Sequence, residues 1–367
     1  MRIVAVVGAR PNFMKVAPLA RAFAGSPLDF KIVHTGQHYD QAMSQSFFDE
    51  LDIPHPDLNL GVGSGSHALQ TAEIMKRFEP ACLELKPDWV LVVGDVNSTA
   101  ACSLVASKLG IGVCHVEAGL RSWDRSMPEE INRLVTDVIS DLLLTTCDEA
   151  DRNLLAEGIP AEKIHMVGNT MIDTLAHMLP KAAQRGMPAR FDQHPGGYGV
   201  VTLHRPSNVD NPAILADLLG TLEIVQRELP LIFAIHPRTR KNITACGLEG
   251  RLAAMDNLQL CDPLSYLDFL DLYRQSRLVL TDSGGIQEET SWLRVPCITL
   301  RENTERAVTV ELGTNYLTGV GRAQVLAAFQ DVMSGKGKTG SQIPLWDGQT
   351  AKRICQLFED LDSRRAG

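Results

Sequence analysis

Twice along the chain, short Val/Ile/Leu runs alternate with helix-patterned segments, and few folds accept that pattern. In the first half the runs are RIVAVVG, FKIVHTG, DWVLVVGD, GVCHVEAG, DLLLTTC and IHMVGNT. Helical patterns fall between them, in PNFMKVAPLARAFAG, over 41–51, in STAACSLVASKLG, and over 129–139 and 148–157. A strand covered on both faces reads as an unbroken apolar run. Parallel neighbours need a crossover of about helix length. The pattern therefore predicts an α/β protein with a doubly wound parallel sheet. Residues 181–197 mix Pro, Gly and charge without a period and read as a connection. The alternation then restarts with YGVVTLH, a helix over 212–228, LIFAIHP, NLQLCDP, a helix over 265–275, RLVLTDSGG, a further helix and PCITLRE. A last helix follows the loop at PLWDGQ. The 367 residues suit two such domains, 1–180 and 196–345, with the ligand between them.

Charge narrows the partners. With 44 acidic and 35 basic residues the formal net charge is -9, which argues against a bulk-basic nucleic-acid binder. An acidic enzyme can still hold an anion in a locally basic cleft. The eight cysteines are scattered without a CxxC pair, so neither a zinc site nor a disulfide framework is expected. Residues 1–7 read as a strand, Arg10 follows too soon for a signal-peptide core, and no apolar run approaches membrane-spanning length. A cytoplasmic protein with no membrane partner is the expectation.

Three segments carry chemistry. In GARPNFMK, Gly8 permits a tight turn, Arg10 supplies a planar cation, and Lys15 falls in the first turns of the next helix. That is either an anion site or an ordinary strand–helix turn with surface charges. GVGSG at 61–65 sits in a loop-like stretch and is no dinucleotide fingerprint. In RLVLTDSGGIQEE a strand ends at Asp282, and Ser283, Gly284 and Gly285 open a helix whose amides can approach a diphosphate. Glu289 lies one turn further on, within reach of a ribose diol. The acid–base candidates are Asp95 and Glu117, at the ends of parallel strands where open α/β sheets place ligands. Glu129, Glu130 and Arg133 stand at a helix start. One of these two carboxylates, Glu130, reads as a residue that complements the helix dipole. His204, beside Arg205, and His236 end two strands of the second domain, suited to phosphate contact or proton transfer. No GxSxG, HExxH or other compact metal motif occurs.

Taken together, GARPNFMKVAP, TGQHYD, KPDWVLVVGDVNST, HVEAGLRS, PEEINR, VGNTMIDTL, TLHRPSN, HPRT, TDSGGIQEE and RENTERAVTVELGTN resemble the non-hydrolysing UDP-N-acetylglucosamine 2-epimerase family. They run in the family's order from residue 8 to about 315. The resemblance implies a GT-B-like fold, two Rossmann-like domains facing a deep cleft, with the helix at 350–362 packing back on the first. It implies removal of the C2 proton and departure of UDP to leave a 2-acetamidoglucal, then re-addition after protonation from the other face. No metal or nicotinamide cofactor is implied, and the partners are a UDP-sugar and, as family members are often dimers, a second copy. Carried over by position, Asp95, Glu117, Glu129 and His204 match the catalytic set. Arg10, Lys15, His236, Ser283, Gly284, Gly285 and Glu289 match the nucleotide-binding set, and Arg133 and Arg306 match further cations. Phe269 matches a position for a ring against uracil, and it fits equally the core of an amphipathic helix.

The chain departs from the family in GARPN for GTRPE, HRPSN for HRxEN and TERAV for TERP. Some members are activated by a second UDP-N-acetylglucosamine through an Arg near the position of GSGSHALQ, which has none. These changes also fit a modified sugar such as a UDP-2,3-diacetamido-2,3-dideoxy-glucuronate. A hydrolysing 2-epimerase, a GT-B glycosyltransferase and a non-catalytic UDP-sugar sensor are the remaining alternatives.

Overall fold

A computed structural model describes residues 1–37, 48–50 and 52–366, with only the backbone described for Arg10 and Ala366. Most of the helix read at 41–51, and the HYD of TGQHYD, lie outside the described residues. The chain divides into two compact units, Met1–His177 with Pro344–Gly367, and Met178–Ile343.

Among the described residues the first unit is built on seven parallel strands: β1 Arg2–Val7, β2 Asp29–His34, β3 Leu58–Asn59, β4 Trp89–Val93, β5 Gly112–Ala118, β6 Leu142–Thr145 and β7 Ile164–Met166. Their order is β3-β2-β1-β4-β5-β6-β7, so the winding reverses between β1 and β4. Ligands of such sheets sit beyond the strand C-termini at that reversal. One face of the sheet buries Val4, Val6, Val90 and Val92 against Ile74, Phe78 and Cys102. Ile74 and Phe78 belong to the helix His67–Leu85, which the alternating pattern does not reveal. Its buried side chains Gln70, Ile74, Phe78, Ala81 and Cys82 form a narrow stripe that begins on a polar residue, and Pro80 interrupts the reading. Beyond β7, Asp173 accepts from the amides of Thr350 and Ala351 at 3.1 and 2.7 Å and so caps the last helix, Thr350–Ala366. That helix lies on the helix Arg10–Phe23, with the Phe358 ring 6.0 Å from Phe23 and 5.7 Å from Trp89.

Six parallel strands carry the second unit: β8 Gly199–Thr202, β9 Leu231–Ala234, β10 Leu258–Cys261, β11 Leu278–Thr281, β12 Cys297–Thr299 and β13 Asn315–Leu317. The order β10-β9-β8-β11-β12-β13 reverses between β8 and β11. Val201, Phe233, Leu280 and Ile298 meet Leu219 and Phe329 in one core. Each unit is the doubly wound α/β layer that the apolar runs demand. The sequence pattern misses the short strands β3 and β13, and the helices Pro237–Ala245, Glu249–Ala253 and Arg322–Met333. The segment 181–197, read as plain connection, holds the four-residue helix Met187–Arg190. Among the described residues no helix is long and apolar enough to cross a membrane.

Candidate active site

In the first unit the reversal point gathers the acidic candidates. Glu117 lies in β5 with φ +71°, and the register against β6 shifts between Val116 and Ala118. A bulge and a left-handed non-glycine residue together turn the carboxylate out of the strand's alternation. Glu117 is 4% exposed and pairs with the Lys15 ammonium, itself buried in the helix that follows β1. Room for that ammonium depends on Gly94, at the end of β4. A Cβ there would stand 2.8 Å from Lys15 Nζ, and the residue's φ is +66°. Asp95, next in sequence, takes a 2.5 Å hydrogen bond from Arg133 Nη1. Asn132 donates to the Asp95 carbonyl at 2.9 Å. Both come from the helix Pro128–Ile139.

The two glutamates at that helix start part company. Glu130 is 1% exposed and accepts from the amides of Ser122 and Trp123, the Ser122 hydroxyl and the Arg133 guanidinium. Burial raises its pKa, but those donors outweigh it, leaving the carboxyl below its ordinary value. Glu130 thus builds the loop and aims Arg133. Glu129 is exposed instead, and it lines one pocket with Asp95, Gln37, His67, Gln70 and Asn97.

A buried network that the sequence reading missed holds these strand ends. His115 in β5 bonds the Gly94 carbonyl at 2.8 Å through Nε2 and Asp137 at 2.6 Å through Nδ1. Asp137 also takes the Gly119 amide at 3.1 Å and Arg121 at 2.7 Å. Arg121 is in turn clamped by both oxygens of Glu157. The network therefore fixes Gly94, which directly precedes Asp95, and Gly119, two residues after Glu117. Burial lifts the Asp137 pKa, yet His115 and Arg121 overcome it and hold the carboxyl below its usual range. The only signal in the sequence is that HVEAGLRS places His115 and Arg121 two and four residues from Glu117.

In the second unit the carbonyl ends of β8 and β11 bring His204 and Asp282 together. Asp282 is buried and accepts from His204 Nδ1 at 2.8 Å, from the amides of His204 and Arg205, and from Asn208 Nδ2 at 3.2 Å. Burial opposes its ionisation, but the His204 contact and the amides prevail and depress its pKa. With Nδ1 bound to Asp282, Nε2 is the ring nitrogen left for a ligand, the orientation used by acid–base histidines. Asp282 was read only as a strand end, and its part in fixing His204 depends on a contact 78 residues away. The His236 ring lies 6.0 Å from that of His204, and its Nδ1 caps the helix Pro237–Ala245 through the Arg238 amide. Burial, then the proximity of His204, lowers the His236 pKa.

Ser283 precedes the helix Gly284–Leu293. A Cβ on Gly284 would stand 2.9 Å from Glu305 Oε1, whereas Gly285 faces open space. Buried Arg306 pairs there with Glu288 at 3.0 Å and Glu305 at 3.1 Å, and Arg301 pairs with Glu305 at 2.8 Å. Glu289 is 4% exposed and accepts from Tyr266 and Tyr273. Phe269, on the same helix as both tyrosines, is half-buried, with its ring 5.2 Å from that of Tyr273. The structure thus brings Lys15, Asp95, Glu117, Glu129 and Arg133 to one sheet end. It brings His204, His236, Ser283, Gly284, Gly285 and Arg306 to the end of the other, with Phe269 and Glu289 on the flanking helices. The side chain of Arg10 is outside the described residues.

Two doubly wound parallel sheets, one ending in paired carboxylates and the other in a glycine-opened helix, define a GT-B-like enzyme of sugar-nucleotide chemistry. The sequence profile described as UDP-N-acetylglucosamine 2-epimerase matches residues 21–359, and the chain belongs to that family. It is 42% identical over 363 residues to the UDP-N-acetylglucosamine 2-epimerase of Methanocaldococcus jannaschii, covering 98% of this chain and 99% of the relative. The crystal structure of that archaeon's UDP-GlcNAc 2-epimerase in complex with UDP-GlcNAc and UDP is similar at a TM-score of 0.89. It has 41% identity and covers 98% of this chain and 99% of its own. The UDP-2,3-diacetamido-2,3-dideoxy-D-glucuronate 2-epimerase of Pseudomonas aeruginosa is 38% identical, covering 98% of this chain and all of the relative.

Proposed function

We propose that the enzyme interconverts UDP-N-acetylglucosamine and UDP-N-acetylmannosamine by eliminating UDP to a bound 2-acetamidoglucal and adding it back. The observation that carries this reading is the pair Lys15–Glu117 and Arg133–Asp95 at adjacent strand ends. Inversion at C2 needs a proton-transfer group for each face, because one base alone would return the proton to the side it came from. Asp95, Glu117 and Glu129 are the candidates for those faces, each in the role of general base in one direction and general acid in the other. In the second unit, the Ser283–Gly285 amides, His236 and Arg306 hold the diphosphate, and His204, fixed by Asp282, assists its departure. Donors preset around a leaving diphosphate stabilise the charge that develops on it. Glu289 takes the ribose hydroxyls and Phe269 lies against uracil, with Arg10 completing the nucleotide set.

The enzyme works in the cytoplasm as a homodimer. Support for the dimer comes from an apolar face on three neighbouring helices of the first unit. Leu69 and Leu83 on His67–Leu85, and Ile131, Val135 and Val138 on Pro128–Ile139, are exposed there on either side of the helix Asn97–Lys108. Nineteen residues make a helix about 28 Å long. With the two twelve-residue helices, about 18 Å each, rows spaced about 9 Å apart offer roughly 600 Å², at the lower end of what one partner contributes to a stable dimer.

Incubation with UDP-N-acetylglucosamine and separation of the products tests the function. UDP-N-acetylmannosamine is the expected product. Free N-acetylmannosamine with UDP would place the chain among hydrolysing enzymes. Turnover only of UDP-2,3-diacetamido-2,3-dideoxy-glucuronate would support the second reading, which the 38% identity to its epimerase favours.

A further inference from the structure

Glu289 has a surrounding that the nucleotide-binding role alone does not require. Its Oε1 accepts from the Tyr266 hydroxyl at 2.8 Å and its Oε2 from the Tyr273 hydroxyl at 2.5 Å. Tyr273 is fully buried and Tyr266 is half-buried, and both belong to the helix Tyr266–Tyr273. A carboxylate has about four lone-pair sites, so two phenols leave acceptor capacity on each oxygen. A neutral carboxyl must use one oxygen as a donor. A ribose diol offers two donors, and only the ionised form accepts both.

We propose that Tyr273 is a positioning residue for nucleotide binding: its buried hydroxyl keeps Glu289 in the form that accepts both ribose hydroxyls. This inference rests on the nucleotide-binding role assigned above to Glu289. Burial pushes the Glu289 pKa up to about 7 against the pull of the two phenols, with Glu288 adding a like charge from its own helix. Other titratable groups packed on this helix face elsewhere. Arg306 faces Glu288 and Glu305, Cys297 of β12 contacts Thr290 and Thr299, and Tyr316 of β13 lies against Lys338. Glu311 is exposed. The phenols are thus the groups that hold the Glu289 pKa down against burial and Glu288, and removing one raises it further. Nucleotide binding then releases a proton at neutral pH, and the ribose hydroxyls gain their advantage as the pH rises.

The test is calorimetric titration of the full chain with UDP and with 2′,3′-dideoxyuridine 5′-diphosphate between pH 6 and pH 8.5. The ratio of the two dissociation constants cancels phosphate and uracil titration. In the wild type the preference for UDP should grow about fivefold from pH 6 to pH 7 and level off above it. In Tyr273→Phe the same rise should come at higher pH, leaving the preference several-fold lower at pH 7 and largely recovered at pH 8.5. In Glu289→Gln, which cannot ionise, the preference should be low and flat, and this variant tests the idea if Tyr273→Phe does not fold. A preference lowered equally at every pH in Tyr273→Phe would make Tyr273 merely structural and overturn the proposal. A wild type that binds UDP with no pH-dependent preference would also overturn it while leaving the epimerase reading intact. Failure of the wild type to bind either nucleotide would remove both.

Discussion

At the residue scale, replacing Asp95 by Asn or Glu117 by Gln should lower kcat by about 10²–10⁴ while UDP affinity stays near wild type. Steady-state kinetics beside calorimetry would check this, and near-normal turnover in either variant removes that residue from the catalytic set. Asp95 and Glu117 are legible in the sequence because each closes an apolar run, and Ser283–Gly285 because glycines open a helix after a strand. Asp282, His115, Asp137, Tyr266 and Tyr273 are not, since their meaning lies in partners distant along the chain. Gly94→Ala puts a methyl group 2.8 Å from Lys15 Nζ at φ +66°. Moving Lys15 displaces its partner Glu117, so kcat should fall by about 10², and UDP binding should weaken as Lys15 leaves its place. Asp282→Asn should likewise cut kcat, because His204 loses the acceptor that fixes its ring; unchanged kinetics would show that His204 needs no such anchor.

At the element scale, long buried strands were read from their apolar runs. The two-residue β3 and three-residue β13 are too short for any periodicity to register. The helix His67–Leu85 escaped because its inward stripe starts with Gln70 and carries Pro80. A consequence belongs to the buried network behind β4 and β5. Asp137 is ionised more readily in the folded chain than its ordinary value near 3.9 allows. Its contribution to stability is therefore complete above that value and is lost as the pH falls toward its lower folded pKa. Asp137→Asn should lower stability by about 3–5 kcal/mol at neutral pH and lessen the loss on acidification. Denaturant titrations at pH 7 and at about pH 2.5 would read both effects, and equal curves for variant and wild type would show that the network carries no such load. On the exposed face, Val135→Asp with Val138→Asp should give a folded monomer in sedimentation equilibrium. A dimer that survives both charges would place the interface elsewhere.

At the scale of the whole molecule, the doubled α/β pattern was open to reading because each unit repeats the same alternation with its own reversal of strand order. The first unit collects carboxylates at its sheet end and the second collects His204, His236, Arg306 and a glycine-opened helix, and the proposed reaction assigns proton transfer to the former and diphosphate binding to the latter. In the proposed reaction every turnover passes through loss of the C2 proton. It is tested most directly by proton NMR of UDP-N-acetylglucosamine with the enzyme in deuterated water. UDP-N-acetylmannosamine carrying deuterium at C2 is the expected product. Epimer formed with its original C2 hydrogen retained would contradict it.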